Sequence, residues 1–428
     1  MGDRPDLLRV ERFGAAYYAR RRTAFFLLPQ PLAQLLAAAR HESALVAYAR
    51  APGATGLSEE ALIAEVCRWQ NDGLLDADYR CRAALVDNPS PQRALAAPLV
   101  TSIELTRACN LRCAHCYVDL SAKRSPLELR VDEVEEIFAA LQGLGSPVVV
   151  LAGGEPLLRD DLGDLLAALP RYAIDAFLCT NATLIDEGAA RSLAASAVRG
   201  FSISLDGPDA TTHEVLRGRG SFARALAGID HLVRAGAREV KLRVTVTANN
   251  ASRLSAFGEV ARELGVSSVA FKPFRQLGAA SEQTALGLSY REYTEATARL
   301  RDAWPADGCA FEVDDGVPER YAVFTGLPTW ACVGGTTSLT ITADARVIAC
   351  GAVDAPDAWS LREHSLAECW RAAPSLVAWR HLAPEAFCHA CAERLACGGG
   401  CRARAAAIHG SLGEPDDWAC LVKGARRA

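Results

Sequence analysis

Residues 108–117 have the sequence Ala108-Cys109-Asn110-Leu111-Arg112-Cys113-Ala114-His115-Cys116-Tyr117, with three cysteines within eight residues directly after a strand-like run. Thiolates at this spacing can surround one inorganic centre, and as soft ligands they select zinc, copper(I) or iron–sulfur clusters. On a cluster of four irons, three cysteines leave one iron without a protein ligand and therefore open to chemistry. A structural zinc site needs four ligands in paired CxxC spacing, and here only His115 could supply the fourth.

A second motif, Gly153-Gly154-Glu155-Pro156, directly follows the apolar run at residues 148–152. An amphipathic helix and this second strand-like run separate it from the cysteines. Paired glycines allow a ligand to approach the backbone closely at the end of a strand. The motif is weak evidence alone, but its position after the cysteines favours the cluster over zinc.

CxxxCxxC after one strand and GGEP after the next resemble the radical S-adenosylmethionine (SAM) enzymes. In that family the three cysteines, here Cys109, Cys113 and Cys116, hold a 4Fe-4S cluster whose fourth iron is chelated by the amino and carboxylate groups of SAM. The resemblance implies that a reductant such as flavodoxin or ferredoxin supplies an electron that cleaves SAM. The resulting 5′-deoxyadenosyl radical abstracts a hydrogen atom from the substrate, while the protein supplies position and excludes water.

The composition is that of a protein of two or three domains without a polyanionic partner. The chain has 428 residues, a hydrophobic share of 50% and a formal net charge of −5, so neither nucleic acid nor an anionic membrane is expected to bind it. The charged residues 1–6 contain no apolar signal region, and no apolar run reaches about 18 residues. We therefore expect a cytoplasmic protein without a membrane span.

The chain contains 15 cysteines and a single methionine, Met1. An odd number of cysteines, in a protein expected to stay in the reducing cytosol, favours metal ligation over disulfides. The lack of thioether ligands argues against copper(I). Four cysteines fit no spaced motif, and we predict that they are packing residues: Cys67, Cys81, Cys179 and Cys369.

Residues 1–90 are predicted to form a small α+β domain of three strands followed by three helices. The strands are predicted at Leu7–Glu11, Ala15–Arg20 and Phe25–Leu28, and the helices at Pro31–Ala39, Ser43–Ala49 and Ser58–Asp72. Ser58 is a good N-cap for the last helix, and Gly73 ends it. Residues 87–98, with three prolines, are interpreted as a linker.

This order of elements resembles the winged-helix peptide-recognition element of systems that mature ribosomally synthesised peptides. The resemblance implies that the leader of a precursor peptide adds a strand beside the third β-strand and lies against the last helix. Edge-strand addition suits a disordered peptide because main-chain hydrogen bonds give affinity with few side-chain demands. The basic run at residues 20–22 is interpreted as a solvated hairpin edge.

Residues 91–300 alternate strands with amphipathic helices. Six strands are predicted, at Thr101–Leu105, Val148–Ala152, Ala176–Thr180, Phe201–Leu205, Glu239–Val246 and Ser268–Phe271. This α/β pattern predicts a parallel sheet with helices outside and active-site groups at the carboxyl ends of the strands. Periodicity leaves a doubly wound sheet open, whereas the family resemblance implies a partial (β/α)6 barrel.

The resemblance also implies a set of SAM contacts. They are the GGEP motif, Gly153, Gly154, Glu155 and Pro156, together with His115, Asn181, Ser204 and Arg217. In the family, Ser204 and Arg217 would contact the methionyl carboxylate, His115 would stack on adenine, and Asn181 would lie near the ribose. The alternatives are a buried serine and a surface arginine. Ala182 stands where the family often has glycine, and no catalytic acid or base is indicated.

Residues 301–428 contain a second cysteine array at Cys332, Cys350, Cys388, Cys391, Cys397, Cys401 and Cys420. Two zinc ribbons would explain part of it, but seven ligands do not divide into two groups of four. The array resembles the SPASM extension of radical SAM enzymes. That resemblance implies one auxiliary 4Fe-4S cluster on Cys388, Cys391, Cys397 and Cys420 and another on Cys332, Cys350 and Cys401, and so three clusters in total.

The second auxiliary cluster has three obvious ligands, so either Cys309 supplies a fourth or one iron stays open. Two positions depart from the family pattern: Ala345 replaces the usual glycine of a hairpin, and Gly351 follows Cys350. In sulfatase-maturing relatives an aspartate follows the matching cysteine and acts as a base. Gly351 therefore argues against a sulfatase-type substrate.

The sequence thus predicts a radical SAM enzyme that modifies a ribosomally made precursor peptide, through a thioether or carbon–carbon cross-link. Oxidation of a small metabolite or cofactor precursor is the alternative reaction. A zinc-loaded peptide-binding scaffold without catalysis is the alternative outside enzymes.

Overall fold

The computed structural model describes residues 4–50, 56–88, 94–118, 120, 124–305, 309–313, 332–353, 355–382, 388, 391, 397 and 399–422. Its strands fall into two sheets, a small one at the N-terminus and a large one that carries the sequence motifs. Within the described residues, no helix has both the length and the apolar character needed to cross a membrane.

The N-terminal sheet has the strand order β3-β2-β1-β4. Its elements are β1 (Leu7–Glu11), β2 (Gly14–Ala19), β3 (Ala24–Pro29), α1 (Gln30–Ala38), α2 (Ala44–Arg50), α3 (Glu59–Asp72) and β4 (Ala84–Val86). The three predicted strands and three predicted helices are present. Ser58 accepts a hydrogen bond from the Ala61 amide at the start of α3, and Gly73 ends the helix in the left-handed conformation. The short strand β4, parallel to β1, was not predicted.

The large sheet contains all six strands predicted for the central region. They are β5 (Val100–Thr106), β6 (Val148–Gly153), β7 (Asp175–Thr180), β8 (Val198–Ser204), β9 (Val240–Val246) and β10 (Ser268–Pro273). Neighbours along the chain are parallel neighbours in the sheet, so the order has no reversal of the kind that defines a doubly wound sheet. Right-handed crossovers in one sequential direction place the connecting helices on one face. The doubly wound alternative is therefore excluded.

The helices of this region are α4 (Val131–Leu144), α5 (Leu162–Ala168), α6 (Glu187–Ala195), α7 (Ala210–Arg217), α8 (Ser221–Arg234), α9 (Phe257–Leu264) and α10 (Tyr290–Ala303). Alternate strand residues are buried in the core between sheet and helices, for example Val149 and Leu151 of β6 and Leu242 and Val244 of β9. The residues between them point to the opposite face. We call this the inner face.

The C-terminal region adds strands to both ends of the large sheet. The added strands are β11 (Ala310–Val313), parallel to β10, β12 (Ser338–Ile341), parallel to β5, and β13 (Val347–Ile348), antiparallel to β12. The helices described after these strands are α11 (Leu366–Ala372), α12 (Pro374–Arg380), α13 (Arg402–His409) and α14 (Asp417–Val422). A boundary near residue 300 therefore does not separate two independent sheets.

Part of the linker predicted at residues 87–98, residues 89–93, lies outside the described residues. The prediction was wrong for residues 94–98, of which Ala94, Leu95, Ala96 and Ala97 are buried. This segment joins three parts of the chain. The Glu11 carboxylate accepts the Ala96 amide at 2.8 Å, and the Leu95 carbonyl accepts the Trp370 indole N–H at 2.9 Å. Buried backbone groups need partners, and here those partners come from both flanking regions.

Arg9 holds the N-terminal module against this junction. Its guanidinium donates to Glu11 Oε1 at 2.7 Å, to the Ala97 carbonyl at 2.8 Å and to the Gly145 carbonyl at 2.8 Å. Gly145 precedes β6, so the module lies at the amino ends of the barrel strands. A buried ion pair with this many hydrogen bonds fixes geometry because breaking it leaves a buried charge unpaired.

The interpretation of residues 20–22 as a solvated edge was wrong for Arg20, which is buried. Its guanidinium donates to the Ala173 carbonyl at 2.7 Å and lies 3.4 Å from Asp175. The Tyr18 hydroxyl donates to the same Asp175 carboxylate at 2.8 Å. Asp175 begins β7, so this second set of contacts also joins the module to the amino ends of the strands.

Candidate active site

The two glycines of the GGEP motif permit a close approach between β6 and the segment before Cys109. The Gly154 amide donates to the Thr106 carbonyl at 2.7 Å, and the Glu155 amide donates to the Ala108 carbonyl at 2.8 Å. A Cβ at Gly154 would lie 2.1 Å from the Ala108 oxygen, and one at Gly153 would lie 2.3 Å from the Thr106 oxygen. The sequence suggested that the glycines admit a ligand. The structure shows that they admit the chain's own backbone and so place Cys109.

Glu155 is buried, and its carboxylate ties the end of β6 to the end of β7. It accepts hydrogen bonds from the Thr180 hydroxyl at 2.7 Å, the Asn181 amide at 2.8 Å and the Leu157 amide at 3.1 Å. Burial raises its pKa, and these hydrogen bonds oppose the rise. Because both oxygens already have partners, a cofactor contact from this motif would come from its backbone.

Asn110 links the cysteine loop to the loop after β7, and sequence reasoning missed it. Its side-chain oxygen accepts from Asn181 Nδ2 at 2.9 Å, and its amide nitrogen donates to the Thr183 hydroxyl at 2.8 Å. Between them, Ala182 is buried with a φ of 60°. That left-handed conformation explains why glycine is common there in the family.

Asp206, Arg217 and His115 form a buried charged group directly behind the cysteines. Arg217 Nε donates to Asp206 Oδ2 at 2.5 Å, and His115 Nε2 lies 3.2 Å from the same oxygen. Burial alone would raise the pKa of Asp206, but Arg217 and His115 hold it far below its usual range. Arg217 is buried rather than on the surface. Asp206 was not predicted as a site residue, because a carboxylate in the SLDG sequence has no distinguishing spacing.

The three cysteines of the first motif lie within electrostatic range of one another. Burial raises the pKa of the Cys113 thiol to about 11, Arg217 lowers it, and the other two thiols raise it further. Arg217 NH1 also donates to Cys113 Sγ at 3.7 Å. His115 Nδ1 is buried without a hydrogen-bond partner among the described residues.

This donor set fits a cluster whose cysteines each bind a different iron. The three thiols lie beside the buried Arg217 guanidinium and the unpaired His115 Nδ1. These two groups could contact a polar ligand bound to the cluster. Within the described part of the chain, no three or more His, Cys, Asp or Glu side chains are grouped so that they could hold a single metal ion.

In the C-terminal region the structure brings Cys332, Cys350 and Cys401 together. Burial raises the pKa of the Cys350 thiol to about 11, and the other two thiols contribute to the rise. Trp379 Nε1 donates to Cys332 Sγ at 3.3 Å. Next to Cys350 lies a cavity of about 140 Å³, also lined by Val353 and Trp379.

Of the remaining cysteines of the array, Cys388, Cys391 and Cys397 lie near one another, and Cys420 lies beside Asp416. The Cys391 amide donates to the Cys388 carbonyl at 3.2 Å, and the Cys420 amide donates to the Asp416 carbonyl at 3.1 Å. Burial raises the pKa of Cys397, with Cys391 contributing. Asp416, which sequence reasoning also missed, is buried and accepts from the Cys401 amide at 2.9 Å.

Cys309 lies apart from these groups. It directly precedes β11, its carbonyl accepts the Trp304 indole N–H at 2.8 Å, and burial raises its pKa without a contribution from another thiol. The structure therefore gives no support to Cys309 as a fourth ligand. Of the cysteines predicted to pack, Cys81 and Cys369 are buried, whereas Cys67 is exposed.

The predicted SAM contacts differ in how free their side chains are. Ser204 ends β8 and is half-buried, Asn181 is occupied by Asn110, and Arg217 is paired with Asp206. Pro156 is buried at the start of a short turn, Pro156–Leu158. All of these positions lie at or after the carboxyl ends of neighbouring strands, the edge that the α/β pattern predicts for a site.

Comparison with known proteins gives one family match and several relatives. The model of the radical SAM superfamily matches residues 103–250. The AdoMet-dependent heme synthase of Methanosarcina barkeri is 29% identical over 356 residues, 76% of this chain and 97% of the relative. The mycofactocin maturase MftC of Mycolicibacterium smegmatis is 36% identical over 174 residues, 41% of this chain and 44% of the relative.

Among solved structures, Streptococcus suis SuiB bound to precursor peptide SuiA superposes with a TM-score of 0.72 at 17% identity. The match covers 98% of this chain and 99% of SuiB. At this identity the similarity concerns the fold. The matched residues 103–250 include the cysteine loop, the GGEP motif and the buried charged group, so the part of the chain that carries the candidate site is similar to the radical SAM superfamily.

Proposed function

We propose that this enzyme modifies a ribosomally synthesised precursor peptide, forming a thioether or carbon–carbon cross-link after hydrogen abstraction. The observation that carries the proposal is the free edge of β3. The N-terminal sheet has the three-residue strand β4 at one edge and the six-residue strand β3 at the other, and β3 pairs only with β2 among the described residues. An open edge strand on a small domain is a site for strand addition by an extended peptide.

The position of α3 supports the same proposal. Arg22, in the turn between β2 and β3, lies 2.5 Å from Asp72 at the end of α3, which connects the hairpin to that helix. On α3, Ile63 and Cys67 are exposed one turn apart. A leader peptide beside β3 could cover such apolar side chains, which otherwise cost free energy in water.

The module is joined to the enzyme on the side away from the cysteines. Its contacts at Gly145, Ala173 and Asp175 lie before β6 and β7, whereas the motifs lie after β5 and β6. A leader held on the module would therefore not reach the radical centre itself. It would raise the local concentration of the attached core peptide there.

The cysteines of this chain would hold the cofactors that the proposed reaction needs. Cys109, Cys113 and Cys116 would hold the 4Fe-4S cluster that binds SAM, and the two groups of C-terminal cysteines would hold auxiliary 4Fe-4S clusters. When bound, the first cluster and SAM supply the 5′-deoxyadenosyl radical. In this chain the buried Arg217 and Asp206 fix the wall behind Cys113, and the unpartnered His115 Nδ1 offers a ligand one hydrogen bond.

A second candidate is the oxidation of a small metabolite or cofactor precursor. The heme synthase relatives favour it, because they match 71% to 76% of this chain at 28% to 29% identity. The SuiB fold match extends over 98% of the chain and so includes most of the N-terminal module. The sulfatase-type alternative is disfavoured because Gly351, and not an aspartate, follows Cys350. The match of residues 103–250 to the radical SAM superfamily argues against a zinc scaffold without catalysis.

Hydrogen–deuterium exchange tests the proposed leader site. The probe is a synthetic precursor peptide, taken from a short reading frame beside the gene, and it is added to the full-length protein. Exchange is followed at β3 and, for comparison, at β11, which lies at one edge of the large sheet. We expect slower exchange in β3 and no change in β11. An iron porphyrin should leave β3 unchanged. Equal exchange in β3 with and without the peptide would contradict leader binding there.

A further inference from the structure

The inner face of the large sheet carries a positive charge at the middle of β9. Leu242 and Val244 of this strand are fully buried in the core beneath the helices. Arg243, between them, therefore points to the inner face, because side chains alternate along a strand. Although β9 lies between β8 and β10, Arg243 is exposed, so the inner face is open to a ligand at this point.

The strands on either side leave room around this arginine. In the sheet register, Arg243 lies beside Ser204 of β8 and beside Ala270 of β10. Serine and alanine have the smallest side chains after glycine, so they leave space on both sides of Arg243. The guanidinium therefore stands in a recess with a polar neighbour on one side and an apolar one on the other.

Tyr117 places this recess next to both cysteine groups. It directly follows Cys116 and has 49% of its surface exposed. Glu104, Cys350 and Arg243 each act electrostatically on Tyr117, so all three lie near it. Tyr117 is thus exposed beside Arg243 and near Cys350 of the second cysteine group.

Arg243 differs from the other cations nearby because it has no counter-charge among the residues that the structure describes. Arg217 is paired with Asp206 at 2.5 Å, and Lys241 Nζ lies 2.8 Å from Glu312 Oε1. The Arg243 side chain makes no hydrogen bond or ion pair with any described residue. Glu104 is not within ion-pair distance of it.

We propose that Arg243 binds a carboxylate group in the recess between β8 and β10, beside Tyr117. The planar guanidinium matches a carboxylate through two parallel hydrogen bonds. The carboxylate would come from the substrate or from SAM, and it would supply the counter-charge that no described residue supplies. Assignment of the carboxylate to the substrate rests on the proposed function. Carboxylate binding by Arg243 does not depend on it.

Residue-resolved arginine modification tests this inference on the full chain. Phenylglyoxal is added to the protein as isolated, and the modification of Arg243 is followed by peptide mass spectrometry with succinate or with uncharged succinamide present. We expect succinate to slow modification of Arg243 about 10-fold or more and succinamide to have no effect. Arg217, which is buried and paired, is the control and should react slowly throughout.

A second arm distinguishes the two sources of the carboxylate. In the reconstituted enzyme, protection by SAM but not by decarboxylated SAM assigns the site to the cofactor. Protection by succinate that persists with SAM bound assigns it to the substrate. Arg243→Gln should weaken succinate binding about 10- to 100-fold, with an unchanged melting temperature, and Arg243→Lys should weaken it less.

Absence of protection by both succinate and SAM would overturn the inference. So would equal succinate affinity in Arg243→Gln and the wild-type protein. Neither measurement uses a peptide or requires turnover. A negative result would therefore count against carboxylate binding by Arg243 and not against peptide maturation.

Discussion

Arg217 Nε donates to Asp206 Oδ2 at 2.5 Å, and this buried pair lies directly behind the cysteine loop. Arg217 NH1 reaches Cys113 Sγ at 3.7 Å, while Asp206 Oδ1 accepts the Thr245 amide at 2.7 Å. The pair therefore connects the cysteine loop to β9. Its loss should affect stability as well as cofactor binding.

Removing Arg217 alone leaves a buried carboxylate without its charge partner. We expect Arg217→Met to destabilise the protein by about 3–5 kcal/mol, measured by denaturant unfolding of the cluster-free protein. Asp206→Asn combined with Arg217→Met should recover much of that loss, because no buried charge remains unpaired. Equal stabilities of the double variant and Arg217→Met would contradict the pairing in a double-mutant cycle.

His213 should make stability depend on pH. Its ring is buried, and Nδ1 accepts the Asp206 amide at 3.3 Å, which requires the neutral form. Burial, with Arg217 nearby, lowers its pKa from 6.5 to about 4. The unfolded chain therefore binds more protons than the folded one between these values, so stability should fall as the pH is lowered from 6.5 towards 4.

The expected slope from His213 is at most about 1.4 kcal/mol per pH unit. Denaturant unfolding at several pH values between 4.5 and 7.5 measures it. His213→Gln keeps an acceptor but cannot be protonated, so the slope should become shallower in that variant. An identical slope in both proteins would show that other groups cause it.

Gly154→Ala should displace the cysteine loop, because the new Cβ would lie 2.1 Å from the Ala108 carbonyl oxygen. We expect lower iron content after reconstitution and slower SAM cleavage. Gly163→Ala is the matched control, since a Cβ there meets nothing within 4 Å and alanine favours the helix by roughly 0.5–1 kcal/mol. Iron content equal to that of the control would show that the loop tolerates the displacement.

Gly351→Asp should conflict with Glu104. A Cβ at position 351 would lie 3.2 Å from Glu104 Oε1, so an aspartate would bring two carboxyl groups together near Cys350. Like charges this close disfavour ionisation of both, and we expect a lower melting temperature for Gly351→Asp. Addition of Glu104→Gln should restore it. A melting temperature equal to wild type in the single variant would refute the contact.

The sequence was sufficient for elements and motifs whose signal is local. Hydrophobic periodicity located β5 to β10, and Ser58 and Gly73 marked the ends of α3 correctly. It was insufficient where long-range contacts decide the outcome. The segment at residues 94–98 looked like a linker because its alanines and its proline, Pro98, do not indicate the contacts with Glu11 and Trp370 that provide its hydrogen bonds.

The same limit applies to the candidate site. Cysteine spacing placed Cys109, Cys113 and Cys116 on one loop, but no spacing rule joins Asp206 to Arg217 or Asn110 to Asn181. The strand β12 gave no periodic signal because its four residues, Ser338–Ile341, are too few, and only the family resemblance implied a hairpin around Ala345. Arg243 resembles any strand residue until the register shows which face it occupies.

The central claim is that Cys109, Cys113 and Cys116 support SAM cleavage that is used on a peptide. The most direct measurement is a paired assay of 5′-deoxyadenosine formation and precursor mass change, in the wild type and in the triple alanine variant. We expect both products from the wild type. The variant should yield neither and should lose roughly four of about twelve irons. Wild-type 5′-deoxyadenosine formation by the triple variant, or SAM cleavage by the wild type without any change in peptide mass, would contradict the account.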